Sequence, residues 1–123
     1  MQPFAKVREI AYELGYKLPI ELPKECLEMR VLTNTQLRTT LGYFKVRNNV
    51  AWIELNYRLS KDMNVFRNTF LHELAHAWAW FSGYKKEKHG GIWAYYCERL
   101  GIIPHIRHHN AEHCIQRNAR RIW

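Results

Sequence analysis

The stretch Asn64-Val65-Phe66-Arg67-Asn68-Thr69-Phe70-Leu71-His72-Glu73-Leu74-Ala75-His76-Ala77-Trp78-Ala79-Trp80-Phe81-Ser82 decides how the rest of the chain is read. It contains neither proline nor glycine, its apolar residues recur as Phe66, Phe70, Leu74, Ala77, Trp78 and Phe81, and Gly83 closes it. That spacing predicts an amphipathic helix ended by a glycine cap. Leu74, Ala75, Ala77 and Trp78 imply that it is half-buried in a core.

On such a helix His72 and His76, four residues apart, lie one above the other and present their imidazoles to one metal ion, with Glu73 beside them. A zinc ion held by three protein ligands keeps a fourth position for water and lowers the pKa of that water towards about 7. Glu73 is then the candidate general base for attack on a peptide carbonyl, returning the proton to the leaving amine. Two imidazoles on a half-buried helix without partners would be costly, which favours the metal reading over a pair of surface histidines.

The third ligand is open on this reading. A histidine in the extended pattern H-E-x-x-H-x-x-G-x-x-H is excluded, because Ala79 and Ser82 stand at the decisive positions. His89, Glu98 and Glu87 all compete. His89 is the best placed, since Gly90-Gly91 next to it allows the chain to turn and bring the next helix against the first.

Outward from this helix, Phe4, Val7, Ile10, Ala11 and Leu14 followed by Gly15 predict an N-terminal amphipathic helix. Pro19 and Pro23 frame an extended connection, and Met29 to Leu32 is a short candidate strand. Residues 41–46 and 50–56, joined by Asn48-Asn49, predict a β-hairpin, with Ala51, Ile53 and Leu55 on an apolar face and Trp52, Glu54 and Asn56 on a partly polar one. Ile92, Trp93, Tyr96, Cys97 and Leu100 mark a further helix ended by Gly101.

The length, 123 residues, suits one domain. We take residues 1–104 as its body and 105–123 as a basic, histidine-rich tail of the same domain. His105, His108, His109, His113 and Cys114 in that tail follow no defined metal motif, and a solvated basic segment is the simpler reading. Three widely spaced cysteines, Cys26, Cys97 and Cys114, fit a reducing compartment. No apolar run is long enough for a membrane span, and the first residues lack the apolar core of a signal peptide, so the chain reads as cytoplasmic. The formal charge of +8 concentrates in residues 31–71, at +4, and in 105–123, at +3, which makes contact with nucleic acid a candidate property. Trp52, Trp78, Trp80 and Tyr95 could stack on unpaired bases if exposed, although their spacing suits core or cleft positions.

His72-Glu-Leu-Ala-His76-Ala-Trp, followed by His89-Gly-Gly-Ile-Trp93 and by Leu100-Gly101-Ile-Ile-Pro104, resembles the SprT-like zinc peptidases, as do Gly42-Tyr-Phe and Ile53-Glu-Leu-Asn56-Tyr-Arg-Leu59 upstream. The resemblance covers roughly residues 27 to 108. It implies a zincin-like α+β fold, with a small antiparallel sheet packed against the active-site helix. It also implies Zn2+ on His72, His76 and His89, Glu73 in catalysis, and Trp93 as packing that fixes the loop bearing His89. Proteolysis of DNA-bound proteins, including DNA–protein crosslinks, is the activity it suggests, with a protein substrate and DNA as a partner; we take the chain itself as a monomer. Relatives often carry a C-terminal zinc ribbon, for which only Cys114 is available here. The competing reading is a nucleic-acid-binding domain with a structural zinc, which has no use for a carboxylate at the open coordination position.

Overall fold

The computed structural model describes residues 5–85 and 89–104; the expectations for the tail 105–123 and for Glu87 lie outside them. A two-residue strand β1 (Ala5–Lys6) leads straight into helix α1 (Val7–Leu14), which Gly15 ends at φ 69°. Its N–H donates to the carbonyls of Ala11 and Tyr12, as a left-handed cap does. The connection framed by the prolines is not wholly extended: α2 (Lys24–Leu27) starts directly after Pro23. Proline is at home at a helix start, where its missing N–H costs nothing, and one turn of helix is too short to show a period.

Strand β2 (Arg30–Asn34) follows, then the hairpin β3 (Gly42–Arg47) and β4 (Val50–Asn56). Asn48 and Asn49 both take positive φ, 53° and 64°, the backbone that a two-residue hairpin turn demands. The four strands form a sheet in the order β1-β2-β4-β3. The sheet is mixed. The hairpin is antiparallel, as expected, but β4 lies parallel to β2, with Val31 opposite Ile53 and Thr33 opposite Leu55. The chain leaves β2, passes beyond its neighbour's place to the far edge as β3, and returns into the gap as β4, so β2 and β4 run the same way.

After a 3-10 turn (Tyr57–Lys61), Asp62 caps α3 (Met63–Phe81), accepting from the N–H groups of Asn64 and Val65 at 3.1 and 3.3 Å. Helix α4 (Gly91–Arg99) completes the described fold. The core lies between the sheet and α3: Ile53, Leu55 and Leu41 meet Phe70, Leu71 and Leu74, and Trp93 and Cys97 of α4, with Leu100 just after it, cover the other side. Consequently α3 is more than half-buried. Every residue from Thr69 to Ala75 is buried, a full circumference of the helix, His72 and Glu73 included.

The polar face of β4 is buried too. Glu54 accepts from the Trp52 indole at 2.8 Å and the Asn34 amide at 3.0 Å, and pairs with Lys45 at 3.4 Å. Asn56 donates to the carbonyls of Leu37 and Thr40 and accepts from the Arg58 N–H, fastening the loop before β3.

Candidate metal centre

Helix α3 carries His72 and His76 on one stripe, and its end leads towards the third histidine. Gly83 stands at φ 101° just beyond Ser82; its N–H reaches the Trp80 carbonyl at 3.1 Å, and the Tyr84 N–H reaches that of Ala79 at 3.0 Å. This is the Schellman arrangement, which satisfies the last carbonyls of α3 and turns the chain back. Gly83 takes the left-handed backbone, while the chain bends at His89 and Gly90, with Gly90 extended at φ −92°, before Gly91 opens α4. The chain then delivers His89 immediately ahead of α4.

The candidate ligand atoms of His72, His76 and His89 all lie within 4.8 Å of one another. His76 Nε2 and His89 Nε2 stand 3.2 Å apart. Two nitrogens bound tetrahedrally to one ion at the usual zinc–nitrogen length would be separated by about 3.3 Å, so the spacing fits a shared ion. Ring centroids of 5.0 Å for His72–His76 and 4.9 Å for His76–His89 describe the same convergence. Three imidazoles form a donor set suited to a borderline-soft divalent cation. Among the described residues no carboxylate or thiol joins this cluster, and Glu98 is exposed on α4.

Glu73 lies next to the first imidazole with only 1% of its surface exposed. Its Oε2 has no hydrogen-bond partner among the described residues, and burial holds its carboxyl well above the usual carboxylate range. A carboxylate held in this way binds a proton more tightly than a surface glutamate does.

Trp93 occupies a more central position than loop packing requires. Its ring touches all three imidazoles, at centroid distances of 4.8 Å to His72, 5.3 Å to His76 and 4.7 Å to His89, and it stacks on His76 at an interplanar angle of 20°. The sequence signal was its place four residues after His89 on the apolar face of α4, which marks packing but not what is packed. Of the other aromatic candidates, Trp78 is buried and stacks on Tyr96, Tyr95 is exposed, and Trp52 is engaged by Glu54.

Two imidazoles one turn apart on a buried helix, a third from the following turn and a glutamate beside the first form the active-site arrangement of a zinc metallopeptidase. The chain belongs to the SprT-like family, whose profile matches residues 17–115 and so includes the whole cluster. No solved structure matches the chain. Among the described residues no helix is long and apolar enough to cross a membrane.

Proposed function

We propose that this chain is an intracellular zinc-dependent endopeptidase in which His72, His76 and His89 hold the ion, Glu73 is the general base, and proteins associated with DNA are the substrates. The observation that carries the reading is the three-imidazole cluster with a buried carboxylate one residue from its first member. A bound zinc ion would supply Lewis acidity, acidifying water and polarising the substrate carbonyl. Glu73 takes the proton from the attacking water and passes it to the amine nitrogen as the C–N bond breaks, ending in its starting state. Trp93 holds the imidazoles in register, and β3, the last strand of the sheet, offers its edge to an extended substrate. A DNA-associated substrate is supported by the formal charge of +8 and by the family resemblance. Buried, unpaired Cys26 and Cys97 fit a reducing compartment.

The test is zinc content and casein cleavage, with and without single-stranded DNA, for the wild type and for Glu73→Gln and His89→Ala. One zinc per chain, lost in His89→Ala and kept in Glu73→Gln, with cleavage abolished in both and stimulated by DNA in the wild type, is the expected pattern. Zinc retained in His89→Ala would remove that residue from the ligand set. Full zinc without cleavage under any condition would leave a binding module with a structural ion.

A further inference from the structure

The hairpin register determines which backbone groups β3 turns outward. Around the two-residue turn Asn48-Asn49, Arg47 and Val50 form the hydrogen-bonded closing pair, and bonded pairs then alternate as Lys45 with Trp52 and Tyr43 with Glu54. The Asn56 N–H bonding the Leu41 carbonyl at 2.9 Å continues the same series. Gly42, Phe44 and Val46 therefore direct their N–H and C=O groups away from β4, towards the edge of the sheet with which no other described strand pairs.

That edge runs beside the stripe of α3 that bears the metal ligands. At one end Gly42 approaches so closely that a Cβ there would stand 3.3 Å from Thr69 Cγ2. At the other end Phe44 meets Trp80 edge to face, with centroids 6.2 Å apart at 62°. Thr69, His72, His76 and Trp80 follow one another along this side of the helix at three- and four-residue steps, and Trp80 lies about 6 Å along the axis beyond His76.

We infer that Phe44 and Trp80 form a subsite for a large apolar side chain of the substrate, and that Lys85 makes the same subsite reject basic side chains. The inference rests on the peptidase reading above. A substrate strand that bonds to the outward N–H and C=O of Phe44 places its directly opposed residue on the same face as the Phe44 side chain. That face is the one Trp80 occupies. Both aromatic rings are half-buried, so each retains surface for an incoming group. Lys85 Nζ lies 4.5 Å from the centroid of Trp80, giving the subsite a positive rim that a lysine or arginine side chain would have to approach. The occupant is thus an aromatic or long aliphatic residue, selected by contact and by exclusion of its charged competitors.

The test uses zinc-loaded protein and quenched fluorogenic peptides that differ at one position, carrying Phe, Leu, Ala or Lys there, with that position stepped along both sides of the scissile bond. At one position, kcat/KM for Phe and Leu peptides is expected to exceed that for Ala by about tenfold, with Lys below Ala. Trp80→Ala should bring Phe and Ala within about twofold at unchanged zinc content, and Lys85→Glu should raise the Lys peptide above Ala. The absence of any positional preference, or its survival in both variants, would overturn the subsite. Should Trp80→Ala fail to fold, the exposed Lys85→Glu change decides alone, an unaltered order of Lys and Ala peptides counting against the subsite. If zinc is bound but neither casein nor any peptide is cleaved, the peptidase reading fails by itself. Fluorescence anisotropy of labelled Phe and Ala peptides on the zinc-loaded protein then judges the subsite: tighter Phe binding lost in Trp80→Ala upholds it, and equal binding overturns it.

Discussion

Trp93 is the residue on which the geometry of the site depends most, because one rigid ring touches three imidazoles that come from two separate parts of the chain. Replacing it by Ala removes that wall and opens a cavity in the core, at a cost of about 3–5 kcal/mol. Trp93→Phe keeps an aromatic face against His76 and removes an indole N–H that has no partner among the described residues, so its cost should be smaller. Chelator competition should rank zinc affinity as wild type, then Trp93→Phe, then Trp93→Ala; equal affinities would reduce Trp93 to packing alone. A second residue, Glu54, yields a pH dependence. Burial raises its carboxyl, but the Trp52 and Asn34 hydrogen bonds and the Lys45 charge outweigh it, and the result lies below the usual carboxylate range. In the unfolded chain a glutamate titrates near about 4.3, so unfolding takes up a proton between the two values. The stabilisation is complete above about pH 5 and is lost as pH falls through the native value. Urea midpoints of wild type and Glu54→Gln should therefore lie further apart at pH 6 than at pH 3.

Among the elements, the β3–β4 hairpin and α3 depend on each other. The hairpin has its own local signal in Asn48-Asn49, but its distance from α3 is set at Gly42, where a Cβ would meet the Glu54 carbonyl oxygen and Leu55 Cδ2 at 3.0 Å as well as Thr69. Two of those neighbours belong to β4 and one to the helix, so neither side has room to yield independently. Gly42→Ala should destabilise the fold by about 1–3 kcal/mol, read from denaturant midpoints. It should also lower cleavage beyond what the lost stability explains, because β3 borders the stripe that bears the site. A variant with wild-type stability and activity would show that the contact is slack.

Across the whole molecule, a domain of this size keeps little stability in reserve, and an ion that binds only the folded chain adds to it by mass action. The proposed site joins the middle of α3 to the residue ahead of α4, so metal would hold together the two helices that close the core. Free zinc at a thousandfold above its dissociation constant is worth about 4 kcal/mol. Stripping it should lower Tm by an amount on the order of 15 °C in scanning calorimetry, and His89→Ala should abolish the difference. An identical Tm with and without chelator would mean that no ion binds there.

Local chemistry was legible along the chain. The period from Phe66 to Phe81, the His72–Glu73–His76 spacing, the Asn48-Asn49 turn and the Gly15 and Gly83 caps each depend on residues within a few positions of one another. Such features follow from backbone sterics and helix geometry, which act over that range. The parallel pairing of β4 with β2, the burial of Glu54 and Asn56 on a strand face that reads as polar, and the closure of α3 on every side followed from distant segments packing together. The same holds for His89 converging with His72 and His76 while Glu98 does not, and for Trp93 meeting three rings at once. Residue spacing names which side chains are able to bind a metal; only the packed chain determines which of them come within reach of one ion, because that distance is set by contacts between residues far apart in sequence.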